Sequence, residues 1–118
     1  MKNLAIRSTS CYNQGVKKIL SPDPFPITFY VQLGGNPKWL VKQLGDIDFT
    51  FDQTYLDAAD GFMVPVETRV GVWVKDPDDR GTISHELLHA VKHATSYLDI
   101  DDEETECYLM GWLTKELT

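Results

Sequence analysis

The sequence predicts an α+β fold, a small antiparallel or mixed sheet packed on a long helix over 82–97 and on a C-terminal helix after it. Three observations carry that reading. Short runs rich in β-branched and aromatic residues, bounded by Gly and Pro, recur as far as Val74. From Thr82 to Tyr97 there is no Gly or Pro, and Leu87, Leu88, Val91, Ala94 and Leu98 recur at helical spacing. An acidic cluster then precedes the apolar stretch Cys107 to Leu117, as at a helix start. At 118 residues the chain suits one domain, 1–118, with a single core.

Met1 to Ser21 is polar, with Val16, Ile19 and Leu20 as its modest apolar content, and no element is assigned there. Ser21-Pro22-Asp23-Pro24-Phe25-Pro26 cannot be a helix interior. It leads into a strand over Ile27 to Leu33, ended by Gly34-Gly35. Asn36-Pro37 opens a short helix, Lys38 to Leu44, with proline at its first position. Further strands are expected over Ile47 to Phe51, Gly61 to Val66 and Val70 to Val74, the last two joined as a hairpin through Thr68-Arg69. The turn Asp76 to Gly81 precedes the long helix, with Thr82 or Ser84 to cap or open it. Asp101 and Glu104 stand at capping-box spacing at the start of the last helix. There are no internal repeats and no low-complexity segments.

The net charge of −7 argues against nucleic-acid binding, which needs clustered Lys and Arg, and Lys17-Lys18 is the only basic doublet. No stretch approaches the length of a membrane span, and the start of the chain has no signal-peptide pattern. Cys11 and Cys107 lie in unlike contexts and read as reduced thiols of a cytoplasmic protein.

The chemistry is concentrated in His85-Glu86-Leu87-Leu88-His89, an H-E-x-x-H motif inside the long helix. Imidazoles four residues apart lie one turn apart on one face, so both can reach one metal ion. Glu86 is then placed to take a proton from a metal-bound water. The bland reading is a helix with two surface histidines and an ordinary acidic residue. The strand, turn and helix around the motif favour the chemical one, a zinc-dependent metallopeptidase with His85 and His89 as ligands and Glu86 as general base.

Zinc hydrolases present three protein ligands and keep a fourth position for water. The third is sought in Asp99 to Glu106, most of whose carboxylates are explained by the helix start. If the last helix folds back on the first, Glu104 is the choice. It shares a helix face with Cys107, Tyr108 and Gly111, and the small residues would let the helices approach closely. Glu103 is second, and Glu106 faces away from Glu104 by about 200°. His93 extends the histidines to i, i+4 and i+8, but His85 and His93 would be about 12 Å apart along the axis. It reads as a rim residue. Lys92 and Thr95 stand where the metzincin pattern has Gly and His. For the oxyanion, Tyr97, Tyr108 and His93 are the nearby candidates.

Gly71-Val72-Trp73-Val74, His85-Glu86-Leu87-Leu88-His89-Ala90 and Glu104-Thr105-Glu106-Cys107-Tyr108-Leu109-Met110-Gly111-Trp112-Leu113 together resemble the small phage and prophage metallopeptidase-like proteins with a minimal zincin core. Cys107 and Trp112 replace that family's Ala and Tyr. More distantly, Glu104 to Cys107 after the H-E-x-x-H is similar to the ImmA/IrrE-type regulatory metallopeptidases. Both resemblances imply Glu104 as third ligand, a zincin-like fold, Zn²⁺, a protein or peptide substrate and, for a phage protein, the host cytoplasm. In zincin-like folds the strand beside the active helix is often an edge that pairs with an extended substrate, here Val70 to Val74 or its hairpin partner. Three other readings stand beside general proteolysis: a zinc-containing, non-catalytic binding or inhibitor protein, a regulatory protease specific for one partner, and a metal-free acidic DNA mimic.

Overall fold

In a computed structural model the described residues are 15–45 and 53–117. In chain order they form β1 (Val16–Leu20), β2 (Thr28–Leu33), α1 (Lys38–Gln43), α2 (Gln53–Ala58), β3 (Gly61–Val66), β4 (Arg69–Val74), α3 (Arg80–Tyr97) and α4 (Glu103–Glu116). The four strands make one mixed sheet in the order β1-β2-β4-β3. β2 and β4 are parallel, while β1 and β3 pair antiparallel on the outside. The fold is therefore α+β, as the sequence predicts. The expected strand over 47–51 lies outside the described residues. β1 and α2 were not anticipated.

Period-2 side-chain alternation divides the core between the two sheet faces. On one face Phe29, Val31, Leu33, Val70, Val72 and Val74 meet Leu87, Ala90, Val91 and Ala94 of α3 and Leu109 and Leu113 of α4. On the other, Phe62, Val64 and Trp73 meet Leu40 and Leu44 of the α1 segment and Leu56 of α2. The arrangement is three layers around a sheet rather than the single core expected. β4 sits between β2 and β3 and is covered on both sides, so its last five residues are all buried. Gly71 is the seat for α1, since a Cβ there would lie 2.8 Å from Leu44 Cδ1 and 3.2 Å from Leu40 Cδ1.

Buried polar groups fix the turn that launches α1. The Gln32 amide donates to Gly34 O at 3.0 Å and Asn36 O at 2.8 Å, and its oxygen accepts from Leu40 N. The Trp73 indole donates to Gly35 O at 3.0 Å. β3 and β4 form the expected hairpin, whose two-residue loop is Glu67-Thr68, Arg69 being already paired with Val66. Helix α3 starts two residues before Thr82, because Asp79 rather than Thr82 or Ser84 is its cap. The Asp79 carboxylate accepts from Thr82 N at 3.1 Å and Thr82 Oγ1 at 2.6 Å. Likewise α4 is capped by Asp102, not Asp101, through bonds from Glu104 N and Thr105 Oγ1. Between them α3 ends with Ile100 N donating to Thr95 O, Asp99 N donating to Ser96 O, and Asp99 at φ 59°, a Schellman termination. Among the described residues no helix is long and apolar enough to cross a membrane.

Candidate metal centre

Helix α3 buries Glu86, Leu87, Ala90, Val91, Ala94 and Thr95 and leaves His85 and His89 exposed. At 3.6 residues per turn the two histidines are about 40° apart, so the packing that buries the apolar stripe presents both to solvent together. Their Nε2 atoms are 3.2 Å apart and their rings meet edge to face, at 81°. Two imidazole nitrogens at 2.0–2.1 Å from one tetrahedral zinc ion would be separated by about 3.3 Å. The separation of the pair therefore matches what one ion requires. Metal-free, the same distance serves an imidazole–imidazole hydrogen bond.

Glu86 is 8% exposed, and its Cγ lies against Gly61 of edge strand β3. What lets that strand lie against the helix is Gly61. A Cβ there would be 2.8 Å from Trp73 O, 3.0 Å from Thr82 Cγ2 and 3.3 Å from Glu86 Cγ. One ligand atom each of His85, Glu86 and His89 lie within 4.8 Å of one another. Sequence reasoning missed Gly61; its signal was a glycine at the start of a strand, where a backbone or side chain approaches closely.

Glu104 is not brought to this group. It is exposed on α4, and the face it shares with Cys107, Tyr108 and Gly111 is the solvent side. A Cβ added to Gly111 would meet nothing within 4 Å, so the close helix approach expected there is not made. Leu109 and Leu113 decide the rotation, because they are the fully buried residues of α4. At i+3 and i+7 from Glu106, they place that residue at the head of the buried stripe. Glu106 accordingly faces α3: its carboxylate accepts from Lys92 Nζ at 3.0 Å and lies 3.4 Å from Thr95 Oγ1. Reading the stripe from Leu109 and Leu113 would have found it. Glu103 is exposed as well. Among the described residues, the structure supplies two imidazoles and the adjacent carboxylate and no third ligand from α4.

The three oxyanion candidates also separate. Tyr108 sets its ring at a tilt of 44° to that of Phe25, centroids 6.3 Å apart, and is 54% exposed. Tyr97 lies eight residues beyond His89, about 12 Å along the helix. His93 is one turn past His89, its ring 5.8 Å from that of Tyr97 and its Nε2 buried without a hydrogen-bond partner among the described residues. Cys107 is a free, exposed thiol, and Cys11 lies outside the described residues.

Comparison of the chain with protein-family models, with curated proteins and with solved structures found no match.

Proposed function

We propose that the protein is a zinc-dependent peptide hydrolase, with His85 and His89 as metal ligands and Glu86 as general base. The observation that carries this reading is the 3.2 Å separation of two exposed Nε2 atoms beside a carboxylate sheltered by Gly61. Zinc bound there would supply a Lewis acid for a scissile carbonyl and lower the pKa of a water. Glu86 accepts that water's proton and returns it to the leaving amine. Its poor exposure limits competing hydration while the histidines stay open to substrate.

The edge of β3 supports a peptide as the substrate class. Lys75 N donates to Asp60 O across the hairpin at 2.8 Å. Antiparallel alternation then directs the ladder bonds of Phe62, Val64 and Val66 toward β4 and turns those of Gly61, Met63 and Pro65 outward. No described strand pairs with this edge, so two residues with both a donor and an acceptor face away from the sheet, as pairing with an extended chain requires.

A second reading, a metal-binding protein that does not hydrolyse, is favoured by the exposure of Glu104 away from the histidines. One experiment separates the two. Zinc content is measured by elemental mass spectrometry on untagged wild type, His85→Ala, Glu104→Ala and Glu86→Gln, and peptide-library cleavage is followed on the same samples. Hydrolysis by wild type, lost in Glu86→Gln with zinc retained, is the expected result. Zinc without cleavage in any sample supports the binding protein, and no zinc in wild type refutes both. Zinc lost from Glu104→Ala would show that α4 rotates on metal binding.

A further inference from the structure

We infer that the protein binds a small apolar carboxylate in the crevice at the carboxyl ends of β2 and β4, with Arg80 as its counter-ion. These adjacent strands are parallel, yet β2 leads to α1 on one sheet face and β4 leads to α3 on the other. Successive connections that part in this way leave a crevice beyond the strand ends, where open α/β sheets take their ligands. Here the crevice deepens into a cavity of about 190 Å³ between Leu33, at the end of β2, the first two turns of α3 and the last turn of α4. For scale, a cavity of about 150 Å³ lined by aliphatic and aromatic side chains holds benzene. Leu33, Ile83, Leu87 and Leu117 form its walls, while Arg80 and Ser84 stand on the α3 side.

Charge selects the ligand's other end. Arg80 makes no ion pair and no side-chain hydrogen bond among the described residues, although it follows three aspartates in a chain of net charge −7. Two of those carboxylates are engaged within their own turn: Asp76 accepts from Asp78 N at 2.9 Å, and Asp79 holds Thr82. A free guanidinium beside an apolar cavity matches a carboxylate joined to about six carbons, and a guanidinium–carboxylate pair is a strong, directional contact. A free short-chain acid and the C-terminal apolar residue of a peptide share that chemistry. The inference is independent of any metal at His85 and His89.

The test is a titration of ¹⁵N-labelled, metal-free protein with sodium hexanoate, followed by amide chemical shifts. Saturable shifts at Leu33, Ile83, Ser84 and Leu117 are expected, with hexan-1-ol and the Arg80→Gln variant each about tenfold weaker. Thr114→Trp, which fills the mouth from an exposed position, should abolish the shifts and leave the remaining spectrum intact. N-acetyl-leucine binding more tightly than hexanoate identifies a peptide C-terminus, and the reverse order a free acid. Absence of saturation, equal affinity for hexan-1-ol, or an Arg80→Gln variant binding as wild type would each overturn the inference.

Discussion

Replacing Gly61 by alanine tests whether the contact between β3 and α3 sets the candidate site. The new Cβ would stand 2.8 Å from Trp73 O, a backbone atom that cannot swing aside, and 3.0 and 3.3 Å from Thr82 Cγ2 and Glu86 Cγ. Relieving the clash requires the edge strand to move by a few tenths of an ångström, and overpacking of this kind costs about 1–3 kcal/mol. The lower unfolded-chain entropy of alanine offsets about 0.4–1 kcal/mol of that. A net loss of about 1–2 kcal/mol remains. With an unfolding entropy of about 2.1 cal/mol/K per residue, the Tm of a chain this size should fall by roughly 4–8 °C. Because the carboxylate of Glu86 moves with the strand while the histidines do not, zinc affinity should stay near wild type as hydrolysis falls, by up to about a hundredfold. Thermal unfolding by circular dichroism and zinc competition with a chromophoric chelator provide the readouts. A Gly61→Ala variant as stable as wild type would refute the packing argument, and one that loses zinc along with activity would refute the separation of roles.

The other expectations concern the helices. Gly111→Ala should stabilise the protein by about 1 kcal/mol, because it restores helix propensity at an open site, whereas a destabilised variant would return the Gly111 face of α4 to the α3 contact. Asp99→Gly should raise stability by up to about 1 kcal/mol by relieving the left-handed φ of 59°, and urea denaturation showing a loss would contradict it. The Asp79 carboxyl is held below its ordinary pKa by the hydrogen bonds from Thr82. A depressed folded-state pKa stabilises the charged form above the unfolded value near 3.9, and that stability disappears as the pH falls through the lower folded value. The Tm gap between wild type and Asp79→Ala should therefore be full at neutral pH and narrow below about pH 4; a gap constant with pH would exclude the linkage.

Much of the architecture was legible because local signals agreed. Gly34-Gly35 and Pro37 bounded β2 and α1, the β-branched run gave β4, and uninterrupted helical spacing gave α3. β1 escaped because Lys17 and Lys18 break the apolar alternation: as an outer strand it is exposed over four of its five residues, so burial leaves little mark on its sequence. α2 escaped because six residues are too few for periodicity to show. The histidine pair was legible since both partners lie on one helix, where spacing dictates geometry. The third ligand was different in kind, because its position depends on how α4 is rotated about its own axis. Leu109 and Leu113 set that rotation through the sheet core, and Cys107 and Gly111, though small, had nothing to pack against.

Both outer strands of this sheet also bear on how copies of the chain meet one another. Exposed backbone on a flat edge is a template for sheet growth between molecules. On β3, whose outer edge no described strand covers, Pro65 falls at an outward position and deletes one donor, so an invading strand finds Gly61 and Met63 to match. On β1 the defence is the Lys17-Lys18 doublet, which sets like charges against each other when two such edges align. The same edge that offers a guest peptide two residues of pairing thus denies a second copy the longer ladder that a fibre would need, and Pro65→Val is the change that would remove the restriction.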